Sequence, residues 1–122
     1  MVTSFTSLGR SGLSDFVVQR LSAAVLTLYV LWVAGFFLAH PQMDHATLKA
    51  FFASPGMLLF NTLMVISTAA HAWIGMWTIG TDYIRDHYFG RHSTAFRMVY
   101  QGGCLMILFV YVVWALRLFW SL

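Results

Sequence analysis

Charge is what this chain has least of. Its 122 residues include seven Lys and Arg and four Asp and Glu, 9% in all, where an ordinary soluble domain carries about 25%. Carboxylates are absent between Arg20 and Ala39 and between Met57 and Gly80. The basic residues are scattered, with no run to follow a phosphate backbone, so nucleic-acid binding is not expected. A single cysteine, Cys104, rules out an intrachain disulfide and reads as a small buried hydrophobe. No internal repeat and no low-complexity segment is present. The first twenty residues include Ser4, Thr6, Ser7, Ser11, Ser14 and Asp15. They contain no apolar h-region, which argues against a cleaved secretory signal.

What is there is apolar: 60% of the residues are hydrophobic. A small domain leaves roughly a third of its chain surface exposed, so water cannot be the solvent for most of this one. Three uncharged runs stand out: Leu21–Ala39, Met57–Gly80 and Met98–Leu116. Each is long enough to cross ~30 Å of hydrocarbon at ~1.5 Å per residue. None alternates as a barrel strand would. The expectation is an all-α integral membrane protein of three transmembrane helices forming one anchor domain over residues 1–122, with spans near 17–39, 57–82 and 97–120. No length remains for a soluble catalytic domain.

The two prolines punctuate the first connection. His40–Pro41 closes the first run, since Pro cannot continue a helix, and Pro55–Gly56 opens the second. Between them Leu48, Phe51 and Phe52 suggest a short interfacial helix. Orientation follows from the basic residues beside the spans. Arg10, Arg20, Arg85, Arg91 and Arg97 flank one side, against Lys49 and Arg117 on the other. The N-terminus and the 82–97 loop are expected to face the cytoplasm, and the C-terminus the periplasm.

His71 is the outstanding position. It stands nine residues before Gly80, ~13 Å inside the second run. A histidine at that depth serves a ligand or hydrogen-bonds between helices. At about 100° per residue, Ser67 and Gly75 fall about 40° to either side of it, and Thr78 and Asp82 within about 20° of its line. Such a small, polar face meets protein or cofactor and not lipid. One imidazole suits haem iron as an axial ligand. Zinc fits less well, because no second ligand stands at i+3 or i+4. A second axial ligand would have to come from another chain. His40, His45, His87 and His92 lie in the connections.

Asp82 and Tyr83 close the second helix, either as a solvated carboxylate and an aromatic-belt anchor or as partners for a quinone carbonyl. Arg20 opens the first span, either snorkelling to headgroups or pairing with a haem propionate. Trp32, Trp73 and Trp77 read as packing or interfacial residues.

HAWIGMWTIGTDYI, from His71 to Ile84, closely resembles the second helix of the small cytochrome b membrane anchor of succinate dehydrogenase, the bacterial complex II. The stretch from Ser7 to Phe37 resembles the first helix of the same family. The two segments cover a little over a third of the chain, in the right order. The resemblance implies a multi-pass protein of the bacterial inner membrane. It would pair with a second three-helix cytochrome b anchor, and with the iron–sulfur and flavoprotein subunits. The two anchors would hold one haem b, with His71 as one axial ligand and Arg20 near a propionate. Asp82 and Tyr83 would belong to the ubiquinone pocket, the tyrosine hydroxyl bonding a quinone carbonyl. Enteric members of the family carry a histidine where this chain has Ser14, which withdraws a propionate contact from that position. The chain is not expected to be catalytic alone, since succinate oxidation resides in the soluble subunits. The alternatives are a fumarate reductase-type anchor, or a small transporter subunit with His71 as a proton relay. The latter would want an intramembrane carboxylate, and none lies between Arg20 and Ala39 or between Met57 and Gly80.

Overall fold

In the computed structural model, residues 12–83 and 90–122 are described, Asp82 and Tyr83 for their backbone alone. The described residues form four α-helices: α1 (Gly12–Ala39), α2 (His45–Ala53), α3 (Pro55–Tyr83) and α4 (Ser93–Trp120). A 3-10 turn, Gly90–His92, leads into α4, and no strand occurs among the described residues. Among the described residues three segments are long and apolar enough to cross a membrane: Gly12–Ala39, Pro55–Thr81 and Gly90–Trp120. The all-α, three-span architecture expected from the uncharged runs is therefore the one observed.

The long helices outrun those runs. Arginine ends a hydrophobic stretch but not a helix, so α1 begins at Gly12, well before Arg20, and α4 at Ser93, before Arg97. Asp15 lies in the first turn of α1, where a negative charge complements the helix dipole. At its other end α1 stops at Ala39, ahead of Pro41. The His40 N–H closes the last turn onto the carbonyls of Phe36 and Phe37.

The short interfacial helix expected around Leu48, Phe51 and Phe52 is α2. Asp44 caps it, accepting the Thr47 N–H at 2.8 Å, which satisfies one of the amide donors a helix start leaves open. Ser54 is extended and passes the chain directly into α3. Its hydroxyl donates to the Phe51 carbonyl at 2.9 Å and accepts the Met57 N–H at 3.4 Å. Pro55 takes the first helical position, where its missing N–H costs nothing.

Helix α3 is central, packed by α1 on one side and α4 on the other, while α1 and α4 make no comparable contact with each other. Near its N-terminal end the fully buried Asn61 ties three helices together. It accepts the Tyr29 hydroxyl at 2.7 Å and donates to the Phe52 carbonyl at 3.2 Å. Phe36 and Phe51 stack with ring centroids 3.7 Å apart, and the Trp120 indole N–H donates to Thr62 at 2.8 Å. Near the opposite end α3 and α4 approach at Gly80, beside the ring of Tyr100. Among the described residues few apolar side chains are buried: Met57, Val65, Ile74 and Cys104. Leu28, Leu31, Phe109 and Trp114 are among many large apolar side chains left facing outward. This inverted balance suits a protein whose surroundings are lipid and other apolar chains.

Candidate functional site between the first and third helices

The antiparallel pairing of α1 and α3 leaves an open groove of about 420 Å³. Asp15, Gln19 and Arg20 line it from α1, and His71, Ile74 and Thr78 from α3. It lies toward the N-terminal end of α1 and the C-terminal half of α3. Arg20 stands eight residues into α1, ~12 Å from its start, and not at the helix boundary where a reading of uncharged runs puts it. Its guanidinium carbon sits 5.1 Å from the centroid of the Phe16 ring, a cation–π approach that steadies an exposed side chain.

His71 is half-buried, and its Nδ1 lies 3.0 Å from Ser22 Oγ on α1. The Ser22 hydroxyl also lies 3.0 Å from the Gln19 carbonyl oxygen. This pairing sets the depth of the two helices against each other. Arg20 is two residues from Ser22, so it stands only ~3 Å along the axis from the level of the imidazole. His71 and Arg20, singled out independently in the sequence, thus share one groove. Among the described residues no three His, Cys, Asp or Glu side chains gather, so His71 meets the groove as a single imidazole. Gln19 Oε1 is buried with no hydrogen-bond partner among the described residues. Polar atoms in that condition are uncommon, and this one lies on a residue of the groove wall.

The face around His71 does not divide as its spacing suggests. Thr78 lines the groove, but Gly75 does not, and a Cβ built there would meet nothing within 4 Å. Ile74 and Gly75 lie on opposite sides of the His71 line, and α1 leaves the groove open on the Ile74 side. Ser67 is buried one turn before His71 and is not part of the groove wall. Asp82 and Tyr83 are carried by the last turn of α3, and their side chains lie outside the described residues, as do His87 and the charged stretch around it. His40, His45 and His92 are exposed at helix ends, as expected. Ser14 belongs to the first turn of α1 but not to the groove. Trp73 and Trp77 are half-buried neighbours with ring centroids 5.6 Å apart, which agrees with a packing role.

Three residues of the site escape a reading of the sequence: Ser22, Gln19 and Asp15. Ser22 had a signal, a hydroxyl two residues beyond Arg20 inside an apolar run. Asp15 is only 8% exposed, and its burial depends on a helix start that charge counting places too late.

No protein-family model matches the chain. The succinate dehydrogenase hydrophobic membrane anchor subunit of Coxiella burnetii is 32% identical over 111 residues, covering 91% of this chain and 90% of that protein. The chain belongs to this anchor family. The corresponding protein of Rickettsia bellii is 32% identical over 79 residues, 65% of this chain and 63% of its own length. The similarity to the Coxiella anchor extends well past the two segments in which the resemblance is visible by eye. The anchor is accordingly a multi-pass membrane protein and a subunit of a larger assembly, and the groove between α1 and α3 has to be read in that setting.

Proposed function

We propose that this anchor holds a haem b jointly with a second anchor chain and forms part of a ubiquinone site, completing a succinate:quinone oxidoreductase of the respiratory chain and the tricarboxylic acid cycle. The carrying observation is the groove that joins a single half-buried imidazole, His71, to a cationic side chain, Arg20. Haem presents the same two demands, a nitrogen ligand for iron and a positive partner for propionates. His71 would hold the iron through its imidazole, and Arg20 would pair with a propionate. The groove is open along one side and its wall supplies one ligand, so a partner chain provides the other ligand and the remaining cover. The orphaned Gln19 Oε1 fits a site completed by a further group. When bound, the haem supplies a one-electron carrier whose potential is tuned by its ligands and burial.

Asp82 and Tyr83 contribute to the quinone pocket beyond the haem. Eleven residues separate His71 from Asp82, ~16 Å along α3. One helix thereby offers a metal ligand within the hydrocarbon and a hydroxyl donor at the interface, where a lipid-soluble substrate can meet protons. Two electrons from the iron–sulfur subunit and two protons convert quinone to quinol there. The N-terminus and the 82–97 loop face the cytoplasm of a bacterial inner membrane, toward the iron–sulfur and flavoprotein subunits.

A reduced-minus-oxidised visible spectrum of the purified complex, with succinate as the reductant, tests haem, assembly and reaction together. A b-type signal that develops on adding succinate and reoxidises with quinone is expected. A complex that reduces quinone and contains no haem would remove His71 and Arg20 from these roles.

A further inference from the structure

Ser22 is the residue through which α1 reaches the imidazole, and its proton can be followed. A hydroxyl has one proton and two acceptor lone pairs. The Gln19 carbonyl, 3.0 Å away, can only accept, so the Ser22 proton is directed to it. The 3.0 Å contact with His71 must then run the other way, with Nδ1–H donating and Ser22 Oγ accepting. A neutral imidazole has a single N–H, which leaves Nε2 as a bare lone pair. Among the described residues no hydrogen-bond partner meets Nε2. Ser22 is 5% exposed, so neither water nor lipid competes for its oxygen.

We propose that Ser22 is the positioning residue of the ligand site: by accepting from Nδ1–H it selects the His71 tautomer with a bare Nε2 and fixes the ring's orientation in the groove. The proposal rests on the reading of His71 as an axial ligand. Histidines that bind metals commonly donate their second nitrogen's proton to an acceptor, which orients the ring and raises its basicity. Carboxylates and backbone carbonyls are frequent acceptors. Here the backbone carbonyl acts one step removed, polarising a serine that in turn accepts from the ring. The chain Gln19 carbonyl, Ser22 hydroxyl, His71 imidazole spans two helices, so it also ties the direction of the ligand nitrogen to the register of α1 on α3.

The test is made on the assembled complex, by potentiometric titration of the haem and low-temperature electron paramagnetic resonance of its ferric form. Ser22→Ala removes the acceptor, reduces electron density at Nε2 and so should move the midpoint potential upward and alter the g-values. Ser22→Thr keeps the hydroxyl, which in a helix can still bond the preceding turn's carbonyl, and should restore wild-type values. If the alanine variant fails to assemble, Ser22→Cys retains the shape with a weak acceptor, and the same upward shift is expected. Loss of haem from an assembled alanine complex, with retention in the threonine variant, would equally support the assignment. Unchanged potential and g-values in both the alanine and cysteine variants, or a threonine variant displaced as far as alanine, would overturn it. A wild-type complex without haem would instead defeat the assignment of His71 as a ligand, and is recognised before any variant is made.

Discussion

Gly80 on α3 and the ring of Tyr100 on α4 are so close that a Cβ added at Gly80 would lie 3.0 and 3.1 Å from two of the ring carbons. No hydrophobic force drives helices together in lipid, so close approach at small residues is what their packing depends on. The crossing of α3 and α4 is held there, at the end of α3 that leads to Asp82 and Tyr83.

Substitution at Gly80 should therefore depend on size. Alanine gains up to ~1 kcal/mol of helix propensity, which offsets much of a small displacement of the Tyr100 ring. Gly80→Val has no such compensation and should destabilise the crossing by about 1–3 kcal/mol through overpacking. Thermal unfolding of the detergent-solubilised complex measures it, and a double-mutant cycle with Tyr100→Ala identifies the cause. A valine penalty that is undiminished in the Tyr100→Ala background would show that the ring is not what Gly80 accommodates.

A pH dependence is expected at the other end of the molecule. The Thr47 side chain, and then its backbone N–H, bond to the exposed Asp44 carboxylate and hold its pKa below the usual carboxylate range. Because the native value is lowered, the contribution to α2 is fully present above the unfolded value of about 3.9. It is lost as pH falls through the lowered native value. Amide hydrogen exchange across His45–Ala53, corrected for intrinsic pH effects, should show protection falling in that acid window. Asp44→Asn keeps a capping oxygen without the charge, and should abolish the pH dependence.

The three spans and α2 were legible because each is written in consecutive residues: uncharged runs, prolines at the first connection, and Leu48, Phe51 and Phe52 spaced for one face. His71 was legible because a histidine so deep in an apolar run needs a partner. The identity of that partner was not. Ser22 opposes His71 only because α1 and α3 adopt one register, set at the far end by Tyr29 on Asn61, while Phe36 stacks on Phe51 of α2. Helical spacing treats Ser67 and Gly75 as equal flanks of His71, yet the groove wall runs through Ile74 and through neither of them. Which flank borders the groove depends on where α1 packs, a tertiary fact with no local signature. Likewise Arg20 marks the end of an uncharged run but not the start of a helix, so its depth had to come from the structure.

The quinone assignment makes a separable prediction. Tyr83→Phe deletes one hydroxyl and keeps the ring, so interfacial anchoring survives. Loss of a bond to a quinone carbonyl should cost ~1–3 kcal/mol, seen as impaired quinone reduction. Haem content should be unchanged, and succinate oxidation by a dye that bypasses the quinone site should be preserved. Wild-type turnover and affinity for quinone would reduce Tyr83 to an interfacial anchor.

The central claim, that His71 is this chain's ligand to a shared haem, is tested most directly by the reduced-minus-oxidised spectrum of the assembled His71→Ala complex. The substitution removes the imidazole and leaves Arg20, Asp82 and Tyr83 in place. Loss or clear perturbation of the b-type signal is predicted, with quinone reduction lowered but not abolished, because the iron–sulfur protein can deliver electrons to quinone without the haem. A wild-type spectrum retaining the signature of two imidazole ligands would contradict the claim.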